Sequence, residues 1–319
     1  MFQDCDAECL LGMFGPLRPK EAAALLSDAP DGSFVLRNHR GHPNNVIVTM
    51  KHPTKGIQHL GISYDKEGWK IRTDRSGRIY STLEEAVKNV SRKLTQPLKV
   101  PAIVPYFVNS LSKRNIKAVI WDFDQSFHPG HAGLYTSETL PDLSPTPTAL
   151  ELFQDLQAAE IPQGFATYSD NVWSDLEHLR RLRAGDKENK KLHGQELIEA
   201  VLSKENLPSV PIVAYYPRLY SKGGMIDKEF WKIKNSDLKS QGLKTIPFAD
   251  LDQGKLPQWR VLADFFNVAP QEILIIEDSK ANLDAAKKAG YETLAVRKQA
   301  GLTEDDILSN MLEALQSSE

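Results

Sequence analysis

Hydrophobic and polar positions follow two different rhythms along this chain. Over the first hundred residues, short apolar stretches bounded by Gly, Pro or Asn lie between two amphipathic segments. Ser33–Arg37, Asn45–Met50 and Gly56–Ile62 are such stretches, and together they predict an antiparallel meander. Pro19–Leu26 has the initial proline, early acid and alanine run of a short helix. Thr82–Leu94 predicts a second helix, because Thr82 followed by Glu84 and Glu85 supplies a cap and negative charge at the positive end of the dipole. The module is therefore α+β, an antiparallel sheet flanked by two helices.

The second rhythm begins after a stretch carrying Pro97, Pro101 and Pro105. Prolines interrupt both helix and sheet pairing, so a linker is predicted here, dividing the chain into 1–103 and 104–319. Beyond it, Ala118–Trp121, Gly164–Thr167, Pro211–Ala214, Ile273–Ile276 and Thr293–Val296 are apolar without polar alternation. Helical patterns occur at Thr146–Ala159, Val172–Arg183, Gln195–Leu202, Gln258–Asn267 and Ala281–Ala289. Buried strands alternating with helices predict a Rossmann-like α/β unit, a parallel sheet covered on both faces.

Composition acts mainly by exclusion. A chain of 319 residues with 41% hydrophobic content has room for about two domains. With 39 basic and 42 acidic residues well mixed, the net charge of -3 gives no basic field for nucleic acid or a membrane surface. The only cysteines, Cys5 and Cys9, make no disulfide framework and suit a reducing compartment. No apolar run reaches the roughly 18 residues of a membrane span, and Asp4, Asp6 and Glu8 replace the basic start of a signal peptide. A soluble, cytoplasmic chain is expected.

Ligands of parallel sheets gather at the carboxyl ends of the strands. There the sequence places Asp122 and Asp124, then Ser169 with Thr167 as an alternative, and later Glu277 and Asp278, with Lys255 ahead of a helix. The spacing of Asp122 and Asp124 sends both side chains off one side of an extended backbone, where they repel unless a cation lies between them. One hydroxyl and one lysine added to these carboxylates make phosphate the natural guest, its charge neutralised by metal and ammonium. His128 and His131, in the following loop, are further candidates for substrate contact.

The order Asp122-Phe-Asp124-Gln-Ser126, Ala166-Thr-Tyr-Ser169-Asp, Lys255 and Glu277-Asp278-Ser-Lys-Ala-Asn282 resembles the haloacid dehalogenase superfamily over residues 115–298. The resemblance implies a phosphoric monoester hydrolase with Asp122 as nucleophile and Asp124 as general acid and base. Ser169 and Lys255 would hold the phosphoryl group. Mg²⁺ would be held by Asp122, the backbone carbonyl of Asp124 and Asp278, with Glu277 assisting. The long insertion near 171–254, with Arg180–Arg183, Lys187–Lys191, Tyr215, Tyr216, Arg218 and Tyr220, lies where that family often builds a substrate lid.

In the first module, Asp31-Gly-Ser-Phe-Val-Leu-Arg37, His59 and the helix from Ser81 resemble a Src-homology-2 domain over residues 11–97. The resemblance implies phosphotyrosine binding by Arg37 and His59, with His39 and Arg40 in the loop that follows the arginine. Gly61 stands where relatives carry a lysine, and Pro19 where they carry an arginine. A Mg²⁺-dependent phosphatase brought to phosphotyrosine-containing proteins is therefore expected, in a host cytosol if the chain is a secreted pathogen effector. The alternatives are a non-catalytic phosphotyrosine adaptor and a small-metabolite phosphatase.

Overall fold

A computed structural model of the protein describes residues 18–27, 29–39, 42–92, 103–131, 139–170, 192–217, 228–297 and 300–317. The chain divides into two units, Met1–Ala102 and Ile103–Glu319. No helix among the described residues is long and apolar enough to cross a membrane.

In the first unit, helix α1 (Pro19–Leu26) precedes strands β1 (Phe34–His39), β2 (His42–His52), β3 (Gly56–Asp65), β4 (Gly68–Ile71) and β5 (Ile79–Tyr80), and α2 (Leu83–Arg92) follows them. The strands form one antiparallel sheet in chain order. Side chains alternate between its faces. One face carries Phe34, Leu36, Val46, Val48 and Ile62, which pack with Leu83, Ala86, Val87 and Val90 of α2. The other carries Val35, Arg37, Ile47, Thr49, His59 and Gly61, as the register Thr49↔Val35, Thr49↔His59, Arg37↔Ile47 and Ile47↔Gly61 requires. Lys51 donates to the carbonyls of Ser27 and Ala29, both at 2.9 Å, and so ties β2 to the end of α1. Thr82 caps α2, its hydroxyl accepting the Glu85 N–H at 3.1 Å. Strands β4 and β5 were not expected, since two to four residues are too few for alternation to declare itself.

The second unit begins with α3 (Ile103–Lys113), whose first three residues belong to the stretch predicted to be a linker. Pro105 is its third residue, where no intrahelical N–H bond exists to lose, so the proline is compatible with the helix it was taken to prevent. Then follow β6 (Ala118–Trp121), α4 (Pro147–Ala158), β7 (Gln163–Thr167), α5 (Gly194–Lys204), β8 (Ile212–Ala214), α6 (Lys228–Ser240), α7 (Leu256–Phe266), β9 (Ile273–Glu277), α8 (Lys280–Lys288), β10 (Glu292–Ala295) and α9 (Glu304–Ser317). Helices α6 and α9 also went unpredicted. The predicted helix at 172–183 lies outside the described residues, as do Lys187–Lys191, Arg218 and Tyr220.

All five strands are parallel, in the order β10-β9-β6-β7-β8. The chain winds outward from β6 through β8, then returns to place β9 on the other side of β6. The winding therefore reverses between β6 and β9, and a crevice opens at their carboxyl ends. Under that crevice Trp121, Phe123, Phe127, Phe153 and Phe165 are fully buried and pack edge to face and stacked. Each contributes roughly 2 kcal/mol by burial. Trp121 also donates to Gln163 Oε1 at 3.0 Å, which satisfies the indole in the core.

Candidate functional site

Strand β6 ends at Trp121, and the next N–H, that of Asp122, donates to Ile276 O at 2.8 Å. The chain then leaves the sheet. Gln125 has φ of 58°, and the Phe127 and His128 N–H groups fold back onto Phe123 O at 3.1 and 3.0 Å. Asp124 therefore lies in a turn, bridged to His128, and not on the extended strand that the sequence spacing suggested. The loop is held from outside by Leu302 N–H on Ser126 O at 2.8 Å and Thr146 N–H on Phe127 O at 3.1 Å. Ser126 Oγ is buried in this loop with no hydrogen-bond partner among the described residues.

Lys255 is brought in by a glycine. Gly254 has φ of 65°, a left-handed turn that joins a 3₁₀ segment to α7, and a Cβ there would meet Tyr168 Oη at 3.2 Å. Lys255 is almost fully buried, so it is no surface lysine. Its Nζ donates to Asp122 Oδ1 at 2.6 Å and to Glu277 Oε2 at 2.7 Å. The ring of Tyr168 faces the same ammonium at 5.1 Å.

Glu277, the last residue of β9, has both oxygens engaged. Oε2 accepts from Lys255, and Oε1 accepts from Ser279 N–H and Asn282 Nδ2, both at 3.1 Å. Asp278 is half-buried beside it. Asp122, Glu277 and Asp278 each offer an oxygen, all within 4.8 Å of one another. Burial pushes the Asp122 carboxyl well above the usual carboxylate range; Lys255 opposes this and Glu277 adds to it. Burial and then the Glu277 charge raise Asp278 as well. Burial works against the charge of Lys255, but Asp122 and Glu277 outweigh it and hold its pKa above the ordinary lysine value.

Two carboxylates thus share one ammonium, and a third stands beside them. The excess negative charge and the all-oxygen donor set fit a hard divalent cation such as Mg²⁺. Asp122 and Asp278 have the side-chain oxygens best placed to hold it, because those of Glu277 already position Lys255, Ser279 and Asn282.

Ser169 follows β7 at the next strand end. Its Oγ accepts the Gly194 N–H at 2.7 Å, which leaves the hydroxyl proton to donate, while its own N–H rests on Thr167 Oγ1 at 3.2 Å. Thr167 is buried and serves this turn, so Ser169 is the more accessible hydroxyl. His128 is buried, its Nδ1 within hydrogen-bonding distance of Gly130 N and O at 3.0 and 3.1 Å. It shapes the loop. His131 is exposed.

Sequence reading missed several supporting groups. Gln258 Nε2 donates to Thr167 O at 3.0 Å and Tyr215 O at 3.1 Å, clamping the ends of β7 and β8 from α7. Asp170 and Lys234 form a buried pair at 3.5 Å that brings α6 to the end of β7. Nothing in the one-dimensional pattern separates these polar residues from solvated ones.

The first unit has its own polar cluster. Arg37 is 6% exposed on β1, and its Nε donates to Thr49 Oγ1 at 3.2 Å. Thr49 Oγ1 also lies 2.9 Å from His59 Nδ1. Burial lowers the Arg37 pKa, and burial followed by the Arg37 charge lowers that of His59. Arg40 and the side chain of His39 lie outside the described residues.

No family model matches the chain, and no curated protein does. Among solved structures it is similar to the solution NMR structure of the Monosiga brevicollis CRK/CRKL homolog SH2 domain, at 20% identity over 32% of this chain and 91% of that one, with a TM-score of 0.25. At that score the likeness carries no argument, and the fold of the first unit rests on its strand register.

Proposed function

We propose that the second unit is a phosphatase of haloacid dehalogenase type, acting on phosphoproteins to which the first unit binds through phosphotyrosine. The observation that carries this reading is Lys255, buried between Asp122 and Glu277 at the point where the sheet winding reverses. A buried ammonium at the carboxyl ends of parallel strands, next to one carboxylate with an uncommitted oxygen, suits attack on a phosphate ester better than it suits structure alone.

In this reading Lys255 holds Asp122 Oδ1, and the other Asp122 oxygen attacks phosphorus. The bond from phosphorus to the ester oxygen breaks, and Asp124 gives that oxygen its proton. Asp124 then takes a proton from water, the resulting hydroxide attacks the phosphorus, and Asp122 leaves as a carboxylate. Ser169 donates its hydroxyl proton to a phosphoryl oxygen. Mg²⁺ held by Asp122, Asp278 and the Asp124 carbonyl would supply positive charge against the phosphoryl oxygens.

The first unit supports targeting through Arg37, whose planar fork suits bidentate hold of a phosphate. The test is turnover of an aryl phosphate by the full chain with Mg²⁺. Turnover that vanishes in Asp122→Asn supports the reading. No turnover, or turnover undiminished by the substitution, overturns the phosphatase.

A further inference from the structure

Arg37, Ile47 and Gly61 are in register across β1, β2 and β3, and the next position in that row is Arg72, whose N–H donates to Gly61 O at 2.9 Å. A Cβ on Gly61 would come within 2.9 Å of Arg72 Cδ, 3.5 Å of Cγ and 3.6 Å of Nε. The arginine stem therefore lies flat across β3, in the space that any other residue at position 61 would fill. From its own backbone beyond β4 it reaches over Gly61 of β3. Arg72 is exposed, and no acceptor among the described residues engages its guanidinium.

Two arginines thus stand in one row of one face, one of them with its stem laid across β3. Their backbones are three strand spacings apart, about 14 Å, with Gly61 under the Arg72 stem and the buried Ile47 as floor between Gly61 and Arg37. His59, two residues from Gly61 on the same face, stands alongside. Two arginines on one face favour a dianion placed between them. We propose that Arg72 is a second cationic contact for the phosphate read by Arg37, and that Gly61 is the residue that lets it reach. This rests on the reading of the first unit as a phosphotyrosine-binding module. The occupant is a phosphotyrosyl peptide, whose phosphate would sit between the two arginines.

The test is fluorescence anisotropy of the full chain, in EDTA to prevent turnover, with a labelled degenerate phosphotyrosyl peptide pool and matched phosphoseryl and unphosphorylated pools. Arg72→Ala is expected to weaken phosphotyrosyl binding about tenfold, the loss of one charge-assisted hydrogen bond, and to flatten its salt dependence. Gly61→Ala, whose methyl displaces the flexible Arg72 stem, is expected to weaken it by a similar factor. The double variant should bind no worse than either single one, because both act on the same contact. Unchanged affinity in Arg72→Ala, with binding still abolished by Arg37→Ala, overturns the proposal and leaves the phosphotyrosine reading standing. Failure of the unchanged chain to bind overturns both. Equal binding of the phosphoseryl pool overturns the phosphotyrosyl occupant.

Discussion

Arg37 of the first unit and Lys255 of the second are both buried cations, and their surroundings differ. Lys255 in the second unit lies between two carboxylates, and its pKa is pushed up. Arg37 in the first unit donates to a threonine hydroxyl, stands next to a histidine, and has its pKa pushed down by burial. One cation holds acids in place; the other is the one that, in the proposed reading, an arriving phosphate would meet. The first arrangement suits chemistry on a phosphate and the second suits recognition of one.

The largest expected effect separates the two functions. Asp122→Asn should lower aryl phosphate turnover at saturating Mg²⁺ by at least about 10³-fold, while phosphotyrosyl peptide affinity of the same chain stays unchanged. A parallel loss of peptide binding would break the division of labour.

Stability should divide the cations in the same way. Lys255→Met leaves Asp122 and Glu277 buried without their shared ammonium, which costs about 3–5 kcal/mol. Urea unfolding should show this loss, and Lys255→Met combined with Glu277→Gln should recover part of it. Arg37→Ala gives up packing but also removes a desolvated charge, so its stability should change by less than about 1 kcal/mol, with peptide binding lost. If Arg37→Ala destabilises the chain as much as Lys255→Met does, the contrast is wrong.

What the sequence made legible follows the same physics. The parallel strands announced themselves as short continuous apolar runs, and Asp122, Ser169 and Glu277 each follow or end one of them, so the residues that face the crevice could be named in advance. The turn at Asp124 was not legible, because Gln125 in a left-handed conformation carries no sequence signal as strong as glycine. Lys255 could be named from its place ahead of a helix and in the motif order, but its burial could not, because it comes from two partners, one 22 residues further on and the other at the end of a different strand. Gln258 and the Asp170–Lys234 pair were invisible for the same reason. In the first unit, the significance of Gly61 appears only once β4 delivers Arg72 above it.

A smaller effect is expected from the clamp on the strand ends. Gln258→Leu keeps the volume near constant but leaves Thr167 O and Tyr215 O without their donor, at about 2 kcal/mol for the pair. Thermal unfolding should report it. If the loss is confined to stability, turnover at low temperature will remain; a fall in turnover as well would show that Gln258 also positions the turn bearing Ser169.

The smallest and most local effect concerns His59. Its pKa is lowered in the folded chain by burial and by Arg37, so the native state binds fewer protons than the unfolded chain just below the ordinary histidine value of about 6.5. The first unit should therefore lose a little stability as pH falls from that value toward the folded His59 pKa, and His59→Gln should remove this slope. An anion beside Arg37 offsets the charge that depresses His59, so a saturating phosphotyrosyl peptide should move the His59 titration upward when followed by NMR. A midpoint that does not move on binding would place the phosphate away from His59, and with it the row formed by Arg37, Ile47, Gly61 and Arg72 would cease to be the recognition surface.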